Sequence, residues 1–319
     1  MLFTFFIVFA IAIVYWVVSS IILNTILSSK AAAEEPAHCK KAANEAAVQE
    51  LQKERSKEQK RNFQKIVDKY KTLEEVTEAL RVAGLQNSNL ILGIDFTKSN
   101  EYTGRTTFHN RCLHDISDKL QNPYQRVISI IGRTLDPFDE DHCIPAFGFG
   151  DSETTDQSVF PFFKARISYG FQEVLNRYNE IVSTVTLSGP TNFAPIINKA
   201  IDIVKEKLSY HILVIIADGQ VIYEHETKEA IVKASNYPLS IVLVGVGDGP
   251  WDKMKDFDDG LPKRKFDNFQ FVNFHEVTAS SKNPDVAFAV HALQEVPEQF
   301  KLIHKLNYLA KRTHRDSDA

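Results

Sequence analysis

The apolar and polar positions of this 319-residue chain fall into blocks of sharply different character. From Leu2 to Leu27 no residue is charged, and polar interruptions are few (Thr4, Ser19, Ser20, Asn24, Thr25). A helix over that stretch would be about 35–40 Å long at about 1.5 Å per residue, enough to cross a bilayer. The start has no Lys or Arg and the apolar run is longer than that of a cleaved signal peptide, so the expectation is a retained transmembrane anchor over residues 2–27. Lys30, Lys40 and Lys41 follow the run and no basic residue precedes it. By the positive-inside rule this predicts a single-pass protein with its bulk on the cytoplasmic side. Residues 28–71 are rich in Ala, Glu, Lys, Gln and Arg, with Glu50/Lys53, Glu54/Lys57 and Glu58/Arg61 at helical spacing. Because Gln52 to Asn62 contains no apolar residue, this segment reads as a charged, solvated helical spacer. Phe63, Ile66, Val67 and Tyr70 then form a stripe fit to dock on the domain that begins at residue 72.

From residue 72 the pattern alternates between strand-like and helix-like stretches. Thr72-Leu73-Glu74-Glu75 is a capping box that opens a short helix. Asn89 to Asp95 is an apolar strand, and Pro123 to Leu135 a helix with proline at its first position. Ile144 to Phe149 reads as a strand, and Val159 to Phe163 as an edge strand limited by Pro161. Helices follow over residues 171–182, 193–208 and 227–235, with strands at 211–217, 239–246 and 269–274 and a terminal helix from Pro284 to Phe300. Strands separated by helices predict an α/β fold: a doubly wound, mostly parallel sheet with helices on both faces, occupying residues 72–308 and followed by a disordered tail over 309–319.

Composition narrows the function classes. A net charge of −4 gives no electrostatic basis for nucleic acid as the main partner. Three scattered cysteines (Cys39, Cys112, Cys143) exclude a disulfide framework or a cysteine-rich zinc site. No Asn-x-Ser/Thr acceptor is present.

The chemistry concentrates where apolar strands end in acids. Asp95 closes Ile-Leu-Gly-Ile-Asp and is followed at alternate positions by Thr97 and Ser99. Asp218 closes Leu-Val-Ile-Ile-Ala-Asp, and Thr191 lies in a loop between the two, just before a helix. Taken singly these are ordinary residues: Thr191 is an obvious helix N-cap, and Asp218-Gly219 an ordinary turn. In open α/β sheets, however, ligands bind beyond the carboxyl ends of the strands. One carboxylate with two hydroxyls in Asp-x-Thr-x-Ser suits a hard divalent cation.

Asp-Phe-Thr-Lys-Ser-Asn, Ile-Ile-Gly-Arg-Thr, Phe-Gly-Phe-Gly-Asp, Gly-Pro-Thr-Asn-Phe-Ala-Pro-Ile-Ile and Val-Gly-Val-Gly-Asp-Gly-Pro-Trp-Asp resemble the copine branch of the von Willebrand factor A superfamily. They also resemble the related domain of plant RING-type ubiquitin ligases. The resemblance implies that Asp95, Thr97, Ser99, Thr191 and Asp218 surround Mg²⁺ or Mn²⁺, with Ca²⁺ as the alternative, in a metal-ion-dependent adhesion site. It further implies a partner protein that supplies a carboxylate to the metal, with Asn100 as a candidate partner contact. Trp251, in the loop after Val-Gly-Val-Gly-Asp-Gly-Pro, reads either as a partner anchor or as packing at the loop base. Copines carry C2 domains before this domain and the plant ligases a RING after it; the expectation here is an anchor and spacer in place of the former and nothing corresponding to the latter. The reading is therefore a non-enzymatic, membrane-tethered interaction module that oligomerises, if at all, through its span or spacer. The alternatives are a metal-dependent hydrolase, a ubiquitin-ligase-associated adaptor, or a secreted adhesive domain if the N-terminus is cleaved. A phosphoryl-transfer hydrolase would need an acid two residues after Asp95, where Thr97 stands. Lesser candidates are a solvated acidic loop at Asp252, Asp256, Asp258 and Asp259, and a basic patch for anionic lipid at Lys263, Arg264 and Lys265.

Overall fold

A computed structural model describes residues 72–309, except 84, 86, 87, 118, 140, 220, 260, 262 and 263. The chain enters through α1 (Leu73–Val82), whose N-cap Thr72 accepts a hydrogen bond from the Glu75 N–H, as its sequence predicts. It then forms β1 (Asn89–Asp95), a 3₁₀ turn at Lys98–Glu101, α2 (Pro123–Leu135), β2 (Cys143–Ile144), β3 (Ala146–Phe149), β4 (Phe160–Pro161), β5 (Ser168–Tyr169) and α3 (Gly170–Ile181). The second half adds α4 (Ala194–Lys207), β6 (His211–Ala217), α5 (Glu224–Ala234), β7 (Leu239–Gly245), α6 (Asp252–Asp259), β8 (Phe269–Asn273), α7 (Phe274–Ala279), α8 (Pro284–Leu293) and α9 (Val296–Lys305).

Six strands form one sheet in the order β4-β3-β1-β6-β7-β8, parallel throughout except for antiparallel β4 at the edge. Both faces are covered, which is why the central strands read as unbroken apolar runs. Along β6, Ile212, Val214 and Ile216 join the core shared with α1, α2, α3, α8 and α9. Leu213, Ile215 and Ala217 join the opposite core with α4, α5 and α6. This is the doubly wound α/β arrangement expected from the alternation. Chain order reverses at β1: β3 lies on one side of it and β6 on the other. The crevice beyond the carboxyl ends of β1 and β6 is thus where such a sheet receives ligands.

Several expectations change. The strand expected over Ile144 to Phe149 is cut by Pro145, which has no N–H to donate; β2 pairs with β5 apart from the main sheet, while β3 pairs with β1. The long terminal helix divides into α8 and α9, with Pro297 in the first turn of the second. The acidic loop is the helix α6, which buries Met254 and Phe257 and leaves Asp252 and Asp256 in solvent. Arg264 belongs to no lipid-facing patch, because it is buried against Asp267 at 2.8 Å.

The membrane expectation is corrected as well. Among the described residues no helix is long and apolar enough to cross a membrane. The longest of them, α4, has 14 residues, about 21 Å at about 1.5 Å per residue, against a hydrocarbon core of about 30 Å. The single-pass, cytoplasm-facing placement is therefore not sustained. The stretches at 2–27 and 28–71, and residues 310–319 of the tail, lie outside the described residues.

Trp251 is a core residue and not a surface anchor. It is 8% exposed, its ring centroid is 5.5 Å from that of Phe271, and it fills space that two glycines leave open. A Cβ at Gly245 would lie 2.7 Å from the indole ring, and one at Gly249 2.8 Å from Nε1. In urea unfolding, Gly245→Ala should cost about 1–3 kcal/mol through overpacking and Trp251→Ala about 3–5 kcal/mol through cavity formation. A surface tryptophan would change stability by less than about 0.5 kcal/mol.

Candidate metal site

Asp95 and Asp218 sit at the carboxyl ends of adjacent strands, both buried. Asp95 Oδ1 accepts the Thr97 N–H at 2.8 Å, which turns the backbone out of the strand. Asp95 Oδ2 is buried and has no hydrogen-bond partner among the described residues. The three hydroxyls of the loop are ordered in relay. Ser99 Oγ donates to Asp218 Oδ1 at 3.0 Å, so the Thr97 hydroxyl, 2.9 Å from Ser99 Oγ, is the donor in that pair. Thr103, which no sequence motif marks, donates its hydroxyl to Asp218 Oδ2 at 2.6 Å. Its position four residues after Ser99 and its hydroxyl were the only signal.

Burial raises the Asp95 pKa well above the ordinary carboxylate range, and the nearby Asp218 charge adds to the shift. Burial likewise raises Asp218, against the hydrogen bonds from Thr103 and Ser99. Two buried acids at neighbouring strand ends thus resist being ionised together unless a cation offsets their charge. The 188–191 loop closes the site from a third side. Thr97 bridges to Ser188, and Lys98 N–H donates to Ser188 O at 2.7 Å. Gly150 approaches from β3, where a Cβ would meet Thr97 Cγ2 at 2.4 Å.

Thr191 is not the cap its sequence suggests. The helix after it has Phe193 at N-cap, and Asn192 Oδ1 takes the Ala194 N–H. Thr191 is buried, and its carbonyl accepts the Ile222 N–H at 3.0 Å, which ties its loop to the segment after β6. Asn100 is fully buried, which removes it as a partner contact. Its Nδ2 donates to Thr97 O at 2.9 Å and its Oδ1 accepts from Tyr124 Oη.

Beneath the acids lies a second group that the sequence did not reveal. His114 is stacked between Phe96 and Tyr124, with centroid distances of 4.8 and 4.2 Å. Its Nε2 is 2.8 Å from Asp95 O, an acceptor only, so Nε2 carries the proton. Nδ1 then accepts from Tyr178 Oη at 2.8 Å, and Asn122 Nδ2 donates to Tyr178 Oη at 3.1 Å. A lone histidine has no sequence pattern that announces such a role.

Among the described residues no group of three or more His, Cys, Asp and Glu side chains is placed to hold a metal. A cation here would rest on two carboxylates and hydroxyl oxygens, a hard donor set that fits Mg²⁺ or Mn²⁺. The orphaned Asp95 Oδ2 is the oxygen such an ion would satisfy. A cleft of about 1320 Å³ runs beside α4 and β3 and is lined by none of the five expected ligands.

A copine family model matches residues 112–312. Copine family protein 2 of Caenorhabditis elegans is 54% identical over 244 residues, which are 75% of this chain and 3% of that protein. The E3 ubiquitin-protein ligase RGLG2 of Arabidopsis thaliana is 54% identical over 269 residues, 79% of this chain and 57% of the ligase. This chain therefore spans only part of either relative. Among solved structures, the manganese-loaded TRAP protein of Plasmodium vivax aligns with a TM-score of 0.41 and 13% identity over 63% of this chain and 74% of that one. That likeness is too remote to carry a site across.

Burial lowers the His114 pKa from 6.5 to about 4. The unfolded chain therefore takes up the proton first, and the stability associated with neutral His114 is present above about pH 6.5 and lost as pH falls toward 4. In metal-free buffer the stability gap between wild type and His114→Phe should shrink by about 3 kcal/mol between pH 7 and pH 4, at about 1.4 kcal/mol per pKa unit. Urea titrations at several pH values measure it, and a gap independent of pH would refute the neutral buried imidazole.

Proposed function

Because this chain belongs to the copine family, a family of interaction modules, we propose that it binds partner proteins through a divalent cation held by Asp95, Thr97, Ser99, Thr191 and Asp218. The observation that carries this reading is the buried, unpartnered Asp95 Oδ2 at the crevice between β1 and β6. A buried acid oxygen without a donor is costly, and a cation is the ligand that removes the cost for both acids at once. When bound, Mg²⁺ or Mn²⁺ would supply an electrophilic position that a partner's carboxylate can occupy.

The residues of the chain divide the work. Asp95 and Asp218 provide charge, while Thr97, Ser99 and Thr191 provide neutral oxygens. Thr103 orients Asp218, and His114 and Asn100 hold the main chain at Asp95 and Thr97. Two acids balance the charge of a dication, and neutral hydroxyl or water oxygens at its other positions leave room for a partner's acidic group to replace a water. Thr97 stands where a second acid would serve phosphoryl transfer.

Asp95→Asn keeps the acceptor for the Thr97 N–H and removes the charge. Without metal, the variant should be no less stable than wild type. With Mn²⁺ at about 100 times its Kd, the wild type should gain about 2.7 kcal/mol and the variant nothing. Calorimetric melts with Mn²⁺ or EDTA read the difference. The immobilised full chain should retain partners in Mn²⁺ and release them into EDTA. Equal retention by Asp95→Asn, or in EDTA, would overturn the reading.

A further inference from the structure

The cleft of about 1320 Å³ beside α4 and β3 is separate from the proposed cation site, and its lining is far from neutral. It runs from Asn89 and His211, the first residues of β1 and β6, to Asp156, beyond the end of β3, and Tyr223, beyond the end of β6. Six acids line it: Asp141, Asp156, Asp202, Glu206, Glu226 and Glu229. Three lysines share the lining, and two of them are engaged. Lys233 Nζ donates to Asn198 Oδ1 at 2.7 Å, and Lys199 Nζ lies 5.7 Å from the centre of the Phe147 ring. Asp202 has Lys205 at 3.4 Å and Glu229 has His225 at 3.7 Å, but these exposed pairs offset little of the charge. The cleft therefore disfavours nucleic acid and anionic lipid and draws in cationic groups.

An acidic lining alone would hold any cation; a buried acceptor at one end narrows the ligand. His211 is 2% exposed, and its Nδ1 is 2.9 Å from Ser209 O, an acceptor only, so Nδ1 carries the proton and Nε2 offers a lone pair. Among the described residues Nε2 has no hydrogen-bond partner, and it is not sealed in the core, so it opens on the cleft that His211 lines. Burial lowers the His211 pKa, which keeps the ring neutral and Nε2 an acceptor. Asp141 lines the same cleft, close enough for its charge to act on that ring. An acceptor nitrogen beside a carboxylate calls for a ligand with both N–H donors and positive charge. No group of His, Cys, Asp and Glu among the described residues is placed to hold a metal there. A guanidinium supplies both properties in one plane.

Spacing along the cleft sets the rest of the ligand. Asp202 and Glu206 are four residues apart on α4, a rise of about 6 Å. In an extended segment, side chains on one face repeat at about 6.6 Å. We infer that this cleft is a second interaction surface, which binds an extended protein segment carrying arginines at alternate positions, one of them seated against His211 and Asp141. The surface works without the cation, since none of the proposed metal ligands lines it.

The test uses the full chain and two fluorescent peptides of equal charge, read by anisotropy at about 0.15 M salt, where attraction between exposed charges is screened beyond about 8 Å. Their centres are Arg-Ala-Arg-Ala-Arg-Ala and Arg-Arg-Arg-Ala-Ala-Ala. The alternating peptide should bind at least about threefold more tightly than the block peptide, and Glu206→Gln/Glu229→Gln, two exposed positions, should weaken it by about threefold or more. An unchanged urea midpoint establishes that the variant is folded. Affinity should be the same in Mn²⁺ and in EDTA, and the His211 Nε2 resonance of ¹⁵N-labelled protein should shift when the alternating peptide is added. Equal binding of the two peptides would reduce the effect to net charge and overturn the proposal, as would no binding at all or an unmoved His211 resonance. Binding found only in Mn²⁺ would put the peptide at the cation site and overturn the separate surface, leaving the cation reading in place. Tighter binding by Lys311→Gln/Arg312→Gln/Arg315→Gln would assign the cleft to the chain's own basic residues and overturn an outside partner.

Discussion

Two carboxylates, Asp95 and Asp218, are buried side by side at the ends of the central strands, and the rest of the site is arranged around what that placement costs. Among the described residues neither has a cationic side chain at its oxygens. Each is met by hydroxyls and backbone N–H groups, which stabilise negative charge without cancelling it. A lysine or arginine in the crevice would have neutralised the pair and closed it. Hydroxyls leave a deficit that a small external cation can fill. The fold places the pair because β1 and β6 are neighbours at the reversal of strand order, where chains leave the sheet in opposite directions and open a crevice.

Holding the strand exit in place falls to neutral groups. The imidazole of His114 and the amide of Asn100 meet the main-chain carbonyls of Asp95 and Thr97, and Tyr178 and Tyr124 meet His114 and Asn100 in turn. A protonated imidazole there would compete for the same carboxylates. The stacking rings of Phe96 and Tyr124 and the depth of burial keep it neutral. Loop position is secured separately. Asp248, beyond β7, accepts from the Thr106 and Thr107 N–H groups, and its own N–H donates to Thr103 O at 2.7 Å. The segment carrying Ser99 and Thr103 is thereby fixed to a third strand exit.

What the sequence made legible was whatever leaves a local pattern. Asp95 and Asp218 each end an apolar run bounded by polar residues, and Asp-x-Thr-x-Ser repeats at strand period. The α/β class comes from such runs alone. What stayed hidden depended on contacts between distant segments. Trp251 reads as a loop aromatic until Gly245, Gly249 and Phe271 are seen to surround it. Arg264 reads as one of a basic trio until Asp267 is found against it. Thr191 reads as a cap because capping propensity is local, whereas Asn192 takes the first free N–H of that helix. Pro145 and Pro297 were visible breakers inside stretches whose apolar periodicity was the stronger signal, and the proline constraint prevailed at both.

The same geometry bears on how strongly folding and ion binding are coupled. A structural zinc module has too small a core to fold without its metal, so binding energy is folding energy. Here apolar layers on both faces of a six-stranded sheet supply the driving force, and the donors of the site already have protein partners: Thr97 with Ser99, Ser99 and Thr103 with Asp218. An entering cation would exchange those hydrogen bonds for coordination without building the loops anew. Mg²⁺ sheds its water reluctantly and rewards donors already in place, and donors held by mutual hydrogen bonds meet that requirement at little cost in chain entropy. Among the described residues the orphaned Asp95 Oδ2 has no hydrogen bond to exchange. It is therefore a position at which the protein would gain from a bound cation.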